Sequence, residues 1–410
     1  MKLLAIGGAG NMTRAALEKI VADDYFDEVI IADYNLEGAQ EVVDNIGDSK
    51  YRAEFIDVND KELTKSLMNE VDVVMNGAGP FYILLEPVMD AFLESKCKYY
   101  VDICDDISAM DDVMTDENKK KAEENGQQIV LGLGGSPGII PVEIMYAATL
   151  MDDVEEAGLY MIMDELVEGG PAVWDHMYEN FNGTVIIYED GKLQEVEGLS
   201  RVETYEYPEE IFPGVGETKV YDLGHPEVYT LPEGLPDIKN IKIKCTIFPT
   251  DVMELFTIFN EHGFLNSDAI EVDGQEVVPR NVLLKLSEKT QLNPEYKGGF
   301  HPSYRGPQEV ITGSIIEVHG TKDGQPIMYQ SGFSTPMGVI TGYPMAVGAK
   351  MLAEGEVEKT GIMIPEVAIT NPGKLVDEVF DSIEASPHFL KRFAKIEDTL
   401  SNVLKEGKEE

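Results

Sequence analysis

The sequence has few basic residues, few cysteines and no long apolar run. Its 76 acidic residues outnumber 32 Lys and Arg, which gives a formal net charge of −44. Because phosphate contacts need clustered Lys and Arg, we expect no nucleic-acid or anionic-membrane partner. No run of about 18 apolar residues occurs, so no membrane-spanning helix is expected. Three cysteines without metal-ligand spacing predict a cytoplasmic protein with no metal site.

The length of the chain indicates more than one domain. At 410 residues it exceeds the size at which one hydrophobic core keeps growing. We predict a dinucleotide-binding domain over residues 1–140 and a second domain over residues 141–340. Residues 371–410 are charged and predict a helical tail.

The first motif joins an apolar run to a glycine cluster and a helical pattern. Residues 3–6 predict a buried strand, and helical periodicity follows at residues 15–21. Strand, glycine turn and helix together are the setting of a dinucleotide fingerprint, in which helix amides face a pyrophosphate. Its third position is Thr13, where Gly or Ala is usual. The predicted cofactor contacts are Gly8, Ala9, Gly10, Asn11 and Met12.

Acidic residues follow the next two strand patterns. Asp33 lies about 23 residues after the glycines, where a carboxylate accepts the ribose hydroxyls of NAD. No arginine follows directly, so we predict NAD as the cofactor, with NADP as the alternative. Asp57 and Val58 are predicted to meet the adenine, although N-capping of the next helix explains the presence of Asn59 or Asp60 just as well.

Two loops are placed to meet the nicotinamide and a substrate. Strand and helix patterns alternate through this domain and predict a doubly wound parallel sheet. The small-residue loop after its fourth strand lies where a nicotinamide ribose would bind. Tyr82 after it either hydrogen-bonds a substrate or packs. Asp102 and Asp105 follow the fifth strand, either as general base and ammonium ligand or, with Asp106, as a helix cap. The predicted cofactor contacts in the first loop are Gly77, Ala78, Gly79 and Pro80.

The second domain has a different pattern. Alternating apolar residues and turns predict a mixed α+β fold with an antiparallel sheet, including a hairpin turn at residues 322–325. His225 lies in a Gly–His–Pro turn and is either a proton donor near neutrality or a structural residue. His301 and Arg305 lie in a polar loop that either grips a substrate carboxylate or forms a structural salt bridge.

Several segments carry a resemblance to a known family. They are the glycine turn, residues 76–81, 100–105 and 132–141, and the late segments 341–346 and 361–366. In this order they resemble the saccharopine dehydrogenase (glutamate-forming) and lysine 6-dehydrogenase family, which also includes carboxynorspermidine dehydrogenase. The likeness extends over roughly residues 1–370.

The resemblance implies a Rossmann domain, an α+β domain that closes over the nicotinamide, and a homodimer. It implies that residues 341–370, a helix and a strand, return to the nucleotide-binding domain. It also implies reversible hydride transfer at a C–N bond through an imine.

We therefore predict an NAD(P)-dependent dehydrogenase for a small amino-acid substrate, either lysine 6-dehydrogenase-like or saccharopine dehydrogenase-like. Two alternatives stay open. One is a polyamine- or opine-type imine reductase, and the other is an NAD-binding sensor without catalysis.

Overall fold

Two compact units make up the molecule. The structure is a computed structural model that describes residues 1–164, 171–249, 251–291 and 312–398. Unit 1 comprises Met1–Tyr146 and Met337–His388, and unit 2 comprises Ala147–Pro336 and Phe389–Glu410. Each unit therefore contains two separate stretches of the chain.

The strands are short and are numbered in chain order. They are β1 (Lys2–Ile6), β2 (Glu28–Asp33), β3 (Tyr51–Phe55), β4 (Val73–Asn76), β5 (Tyr99–Asp102), β6 (Gln128–Val130), β7 (Asp153–Asp164), β8 (Thr184–Glu189), β9 (Lys192–Glu197), β10 (Val202–Glu206), β11 (Glu217–Asp222), β12 (Asn240–Phe248), β13 (Ile270–Val272), β14 (Gln275–Val277), β15 (Gly313–Lys322), β16 (Gln325–Ser334), β17 (Gly361–Met363) and β18 (Lys391–Asp398).

The helices are numbered in the same way. They are α1 (Asn11–Asp23), α2 (Leu36–Ile46), α3 (Lys61–Met68), α4 (Phe81–Leu93), α5 (Ile107–Val113), α6 (Asp116–Asn125), α7 (Ile139–Ala148), α8 (Pro171–Phe181), α9 (Glu227–Gly234), α10 (Asp251–Glu261), α11 (Pro279–Gln291), α12 (Met337–Glu354), α13 (Pro365–Ala368) and α14 (Pro372–Glu384).

Unit 1 is built on a parallel sheet of seven strands. Their order is β17-β6-β5-β4-β1-β2-β3, and every neighbouring pair runs parallel. Strands β1 and β4 are almost wholly buried, as expected when helices cover both faces of a parallel sheet. The predicted doubly wound sheet is confirmed.

Helix caps account for two of the acids that follow the strands of unit 1. Asp60 caps α3 by accepting a hydrogen bond from the Leu63 amide at 3.1 Å. Asp106 caps α5 by accepting one from the Ala109 amide at 3.0 Å. Capping satisfies amides that have no partner within the helix, so both side chains have a structural role.

The late helix α12 packs against α1 within unit 1. A Cβ atom added to Gly342 would lie 2.4 Å from the Met12 carbonyl oxygen and 2.6 Å from the Ala16 amide nitrogen. The two helices therefore meet backbone to backbone at Gly342. Strand β17 follows and pairs with β6, so the segment after α12 extends the parallel sheet.

Unit 2 contains a mixed sheet. Its path is β10-β11-β12-β7-β15-β16-β18, with β8 joining β12 and β9. Only the β12–β7 pair is parallel among the pairs described for this sheet. The predicted hairpin is present between β15 and β16, with Asp323 and Gly324 at positive φ of 51° and 72°. Two such residues form the turn that fits the twist of a hairpin.

The predicted helical tail is only partly correct. Residues 372–384 form α14, but Lys391–Asp398 form β18 and pair antiparallel with β16. The free edge of β16 offers unpaired backbone groups, which outweigh the charged composition of the tail. Among the described residues, no helix combines the length and apolar character needed to cross a bilayer.

Replacing Gly342 by Ala should destabilise unit 1 by about 1–3 kcal/mol, because the new methyl group meets backbone atoms of α1 that cannot rotate away. The measurement is the urea concentration at half-unfolding. Gly338→Ala in the same helix is the control, since its Cβ would meet nothing closer than 3.8 Å. Equal stability of the two variants would contradict the close packing.

Candidate active site

The candidate site lies at the carboxyl edge of the unit 1 sheet. Because the strands are parallel, the loops that follow them open at the same edge. These loops are residues 7–10, 34–35, 56–60, 77–80, 103–106 and 131–138. They contain most of the side chains that the sequence singles out.

The glycine turn after β1 is tightly constrained. Gly7 has a φ of +72°, a conformation that L side chains rarely adopt. A Cβ on Gly8 would lie 2.4 Å from Cγ2 of Ile31. Gly10 is the N-cap of α1, and no described side chain caps this end. The first amides of α1 are therefore available to an anion.

Asp33 joins the turn to the end of β2. Its Oδ2 accepts a hydrogen bond from the Ala9 amide at 2.9 Å, and its Oδ1 accepts one from the Asn35 amide at 2.8 Å. Each carboxylate oxygen keeps a second lone pair, so the group can still accept hydrogen bonds from ribose hydroxyls. Arg14 donates from Nε to the Ala9 carbonyl at 2.9 Å and also pairs with Glu41 at 3.5 Å.

Arg14 is a cation that sequence reasoning missed. The prediction rested on the residues directly after Asp33, whereas Arg14 precedes Asp33 in the chain, lies in α1 and donates to the Ala9 carbonyl of the glycine turn. Its position after the glycines was a usable signal, because the first helical turn returns to the loop.

The structure separates the two predicted adenine contacts. Asp57 is half-buried and accepts hydrogen bonds from the backbone amide and the side-chain amide of Asn59 at 3.0 and 3.1 Å. Val58 is 7% exposed and belongs to the hydrophobic core of unit 1. Because the Val58 side chain is used in packing, the predicted contact of Val58 with the adenine could be made only by its backbone.

Thr13, the unusual residue at the third position of the dinucleotide fingerprint, packs against the loop after β4. Its side chain is fully buried, and within the described residues Oγ1 has no hydrogen-bond partner. A Cβ on Gly77 would lie 2.1 Å from that oxygen, while a Cβ on Gly7 would lie 2.8 Å from the Ala78 amide nitrogen. Thr13 is larger than the usual Gly or Ala, and it fits because Gly77, in the loop after β4, has no side chain to occupy the same space. Sequence reasoning examined the two loops separately and missed this match.

Asp102 is a structural anchor and lies too deep to touch a substrate. It is fully buried, and Oδ1 accepts hydrogen bonds from the amides of Cys104 at 3.1 Å and Gly132 at 2.7 Å. Oδ2 accepts from the Tyr100 hydroxyl at 3.0 Å. Burial raises the pKa of the Asp102 carboxyl to about 6, although these hydrogen bonds oppose the shift. The predicted role as general base or ammonium ligand is corrected to one of positioning.

Two other predicted residues remain accessible at this edge. Asp105 is half-buried, and Tyr82 is 58% exposed in the first turn of α4. They follow β4 and β5, which are neighbours in the sheet with Asn76 opposite Asp102. The site therefore offers a carboxylate and a phenol from segments that follow adjacent strands, both able to exchange a proton.

The predicted site residues in the second domain are His225, His301 and Arg305. His225 is 7% exposed, and its Nδ1 contacts the carboxylate of Glu227, which is itself buried. This geometry favours the structural alternative for His225. His301 and Arg305 lie outside the described residues. Arg201 and Arg280 are already ion-paired, Arg201 with Glu189 and Arg280 with Glu179.

The cysteines have no catalytic geometry. All three are buried free thiols. Burial raises the pKa of the Cys97 and Cys245 thiols to about 12 and that of Cys104 well above its usual value. A thiol with such a pKa is protonated at neutral pH and is a poor nucleophile.

Comparison with known proteins gives consistent matches along the chain. Residues 3–130 match the family model described as saccharopine dehydrogenase NADP binding domain. Residues 134–386 match the model described as saccharopine dehydrogenase C-terminal domain.

Two curated relatives are carboxynorspermidine synthases. The enzyme of Vibrio alginolyticus is 27% identical over 330 residues, covering 73% of this chain and 75% of its own. That of Vibrio cholerae serotype O1 is 25% identical over 415 residues, covering 91% and 93%.

Among solved structures, the apo saccharopine dehydrogenase (L-Glu forming) from Saccharomyces cerevisiae is similar with a TM-score of 0.67 and 14% identity. The match covers 96% of this chain and 99% of the yeast chain. At this identity the likeness concerns the fold.

The close packing of Thr13 against Gly77 can be tested by paired substitutions. Gly77→Ala should weaken NADH binding by about tenfold or more, because the added methyl group displaces the loop from Thr13 Oγ1. Adding Thr13→Ala should restore most of the affinity, since the remaining Thr13 Cβ would be 3.5 Å away. The measurement is the NADH dissociation constant by fluorescence titration. A double variant that binds NADH as weakly as Gly77→Ala would contradict this packing between Thr13 and Gly77.

Proposed function

Because this chain belongs to the saccharopine dehydrogenase family of NAD(P)-dependent oxidoreductases, we propose that it transfers hydride reversibly at a C–N bond of an amino acid, through an imine. The observation that carries the proposal is the carboxyl edge of the unit 1 sheet. There the glycine turn, the Asp33 carboxylate and the loop after β4 lie together, with Asp33 hydrogen-bonded to the Ala9 amide of the turn. The predicted homodimer and cytoplasmic location belong to the same proposal.

The cofactor fits the residues present at this edge. The first amides of α1 would hold the pyrophosphate, Asp33 the adenosine ribose, and residues 77–80 the nicotinamide ribose. When bound, the nicotinamide accepts or supplies the hydride. The task left to the protein is to align the substrate and to take up a proton.

Proton transfer falls to a group that reaches the substrate nitrogen. Oxidation of an amine to an imine removes a proton from nitrogen as hydride leaves carbon. Asp105 is the carboxylate that we assign to this role, because it is partly exposed while Asp102 is fully buried. Tyr82, in the first turn of α4, would donate a hydrogen bond to the substrate. Arg305 and His301 stay the proposed ligands of its carboxylate.

A second candidate substrate class is favoured by the curated relatives. Both Vibrio proteins are named carboxynorspermidine synthase, which supports a polyamine-type imine reductase. The two candidates share the imine step and differ in the amine and aldehyde that form it. The acidic composition, with a net charge of −44, favours cationic substrates in either case.

A substrate panel distinguishes these candidates. Purified protein is assayed for NADH and NADPH formation with lysine, saccharopine and other amino acids at mildly alkaline pH, where amines deprotonate. It is also assayed for their consumption with aldehydes plus glutamate or diamines. We expect turnover in at least one C–N reaction. Asp105→Asn should lower kcat by about 100-fold or more with NADH binding unchanged, because the general base is lost.

The control for Asp105 is Asp112→Asn, an exposed carboxylate on α5. Turnover only with diamines would assign the polyamine class. Coenzyme binding without turnover across the whole panel would support the sensor and contradict the proposed reaction.

We propose NAD as the preferred cofactor, on the basis of the Asp33 carboxylate. Asp33→Asn should improve NADPH affinity relative to NADH by about tenfold, because a negative charge near the 2′-phosphate is removed. The Asn retains an oxygen for the Ala9 amide. Adding Arg14→Ala should reverse the gain, since Arg14 is the nearby cation. Asp44→Asn, at an exposed position on α2, is the control for general loss of charge, and an unchanged NADPH/NADH ratio in Asp33→Asn would contradict the preference.

A further inference from the structure

A buried hydrogen-bond chain joins side chains of two neighbouring strands, β4 and β5, below the candidate site. Its centre is the Tyr100 hydroxyl on β5, which is fully buried. The hydroxyl accepts a hydrogen bond from the Asn76 side-chain amide on β4 at 2.9 Å and donates one to Asp102 Oδ2 at 3.0 Å. Asn76 and Asp102 are opposite each other in the sheet, and Tyr100 shares their face because it lies two residues before Asp102.

Both ends of the chain terminate on loop backbone. Asn76 Oδ1 accepts from the Ala78 amide at 3.1 Å. Asp102 Oδ1 accepts from the amides of Cys104 and Gly132. One connected set of side chains therefore anchors the loops that follow β4, β5 and β6.

The direction of each hydrogen bond is fixed by chemistry. An ionised carboxylate only accepts, so the single proton of the Tyr100 hydroxyl must point at Asp102. The phenol oxygen then accepts from the Asn76 NH₂ group, and this orients Asn76 Oδ1 toward Ala78. The Asp102 charge thereby determines the orientation of an amide on the neighbouring strand.

We propose that Tyr100 is a positioning residue that, through Asn76 and Asp102, holds the three loops in the arrangement that the nicotinamide half of the cofactor requires. The inference rests on the proposed function. Neither Tyr100 nor Asn76 touches the cofactor in this role, because both are fully buried. The adenosine half depends on the glycine turn and Asp33, which take no part in the hydrogen-bond chain.

The hydroxyl can be removed without removing the ring. Tyr100 packs against Phe92 with ring centroids 5.1 Å apart, so Phe fills the same volume. Tyr100→Phe should weaken NADH binding at pH 8 by about tenfold, because Asn76 and Asp102 lose a buried partner. ADP, which carries adenosine and pyrophosphate but no nicotinamide riboside, should bind within about twofold of wild type. The measurement is titration calorimetry with each ligand.

A second variant tests the direction in which the hydrogen bonds among Asn76, Tyr100 and Asp102 are donated. In Asp102→Asn the new amide donates to the phenol, whose proton then needs Asn76 Oδ1 as its acceptor. Asn76 must rotate, and its NH₂ group would face the Ala78 amide, so this anchor is lost. Asp102→Asn should therefore weaken NADH and spare ADP as Tyr100→Phe does, and the double variant should be no weaker than either single variant.

The control is Tyr99→Phe, a half-buried neighbour on the opposite face of β5 that should change neither affinity. Equal weakening of NADH and ADP in Tyr100→Phe would indicate general loss of packing and would overturn the proposal, as would unchanged NADH affinity. Wild-type protein that binds neither ligand would instead overturn the proposed function.

Discussion

The approach of the glycine turn to the loop after β4, at backbone distance, is the constraint on which the candidate site depends. Gly7 and Gly77 each lie where a Cβ atom would overlap atoms of the other loop or of Thr13. Because no side chain of Gly7 or Gly77 separates the two loops, their relative position is restricted by van der Waals contact between them. The Asp33 carboxylate, proposed to bind the adenosine ribose, accepts a hydrogen bond from the Ala9 amide of the same turn.

Around this contact the hydrogen bonds run outward in two directions. Toward β2, Asp33 accepts from Ala9 and Asn35. Toward β6, Asn76, Tyr100 and Asp102 connect the loops with all their polar groups satisfied. A buried carboxylate with three donors rigidifies its surroundings more than apolar packing does, because each partner has a defined direction. The edge of the sheet is thus preorganised on both sides of the glycine turn.

Local sequence patterns were enough to predict the parallel sheet, the glycine turn, the hairpin at Asp323 and the family. These depend on periodicity, turn chemistry and motif order, which a single chain displays directly. The roles of Thr13 and Asp102 could not be predicted, because they depend on residues distant in sequence, Gly77 and Gly132. Strand β18 was missed for the same reason, since the edge of β16 creates it. The acid at position 60 could be assigned once its helix was placed.

The division of unit 1 into Met1–Tyr146 and Met337–His388 has a consequence for how the protein is made. During synthesis the glycine turn and α1 emerge long before α12 and β17, which complete the helix layer and the sheet. Until then, Met12 and Ala16 present an uncovered groove, and β6 presents a free edge. The sheet of unit 2 is likewise incomplete until its last strand, β18, is synthesised and pairs with β16. Neither unit can reach its final contacts before nearly the whole chain has left the ribosome, so folding intermediates on this path carry exposed apolar surface that chaperones recognise.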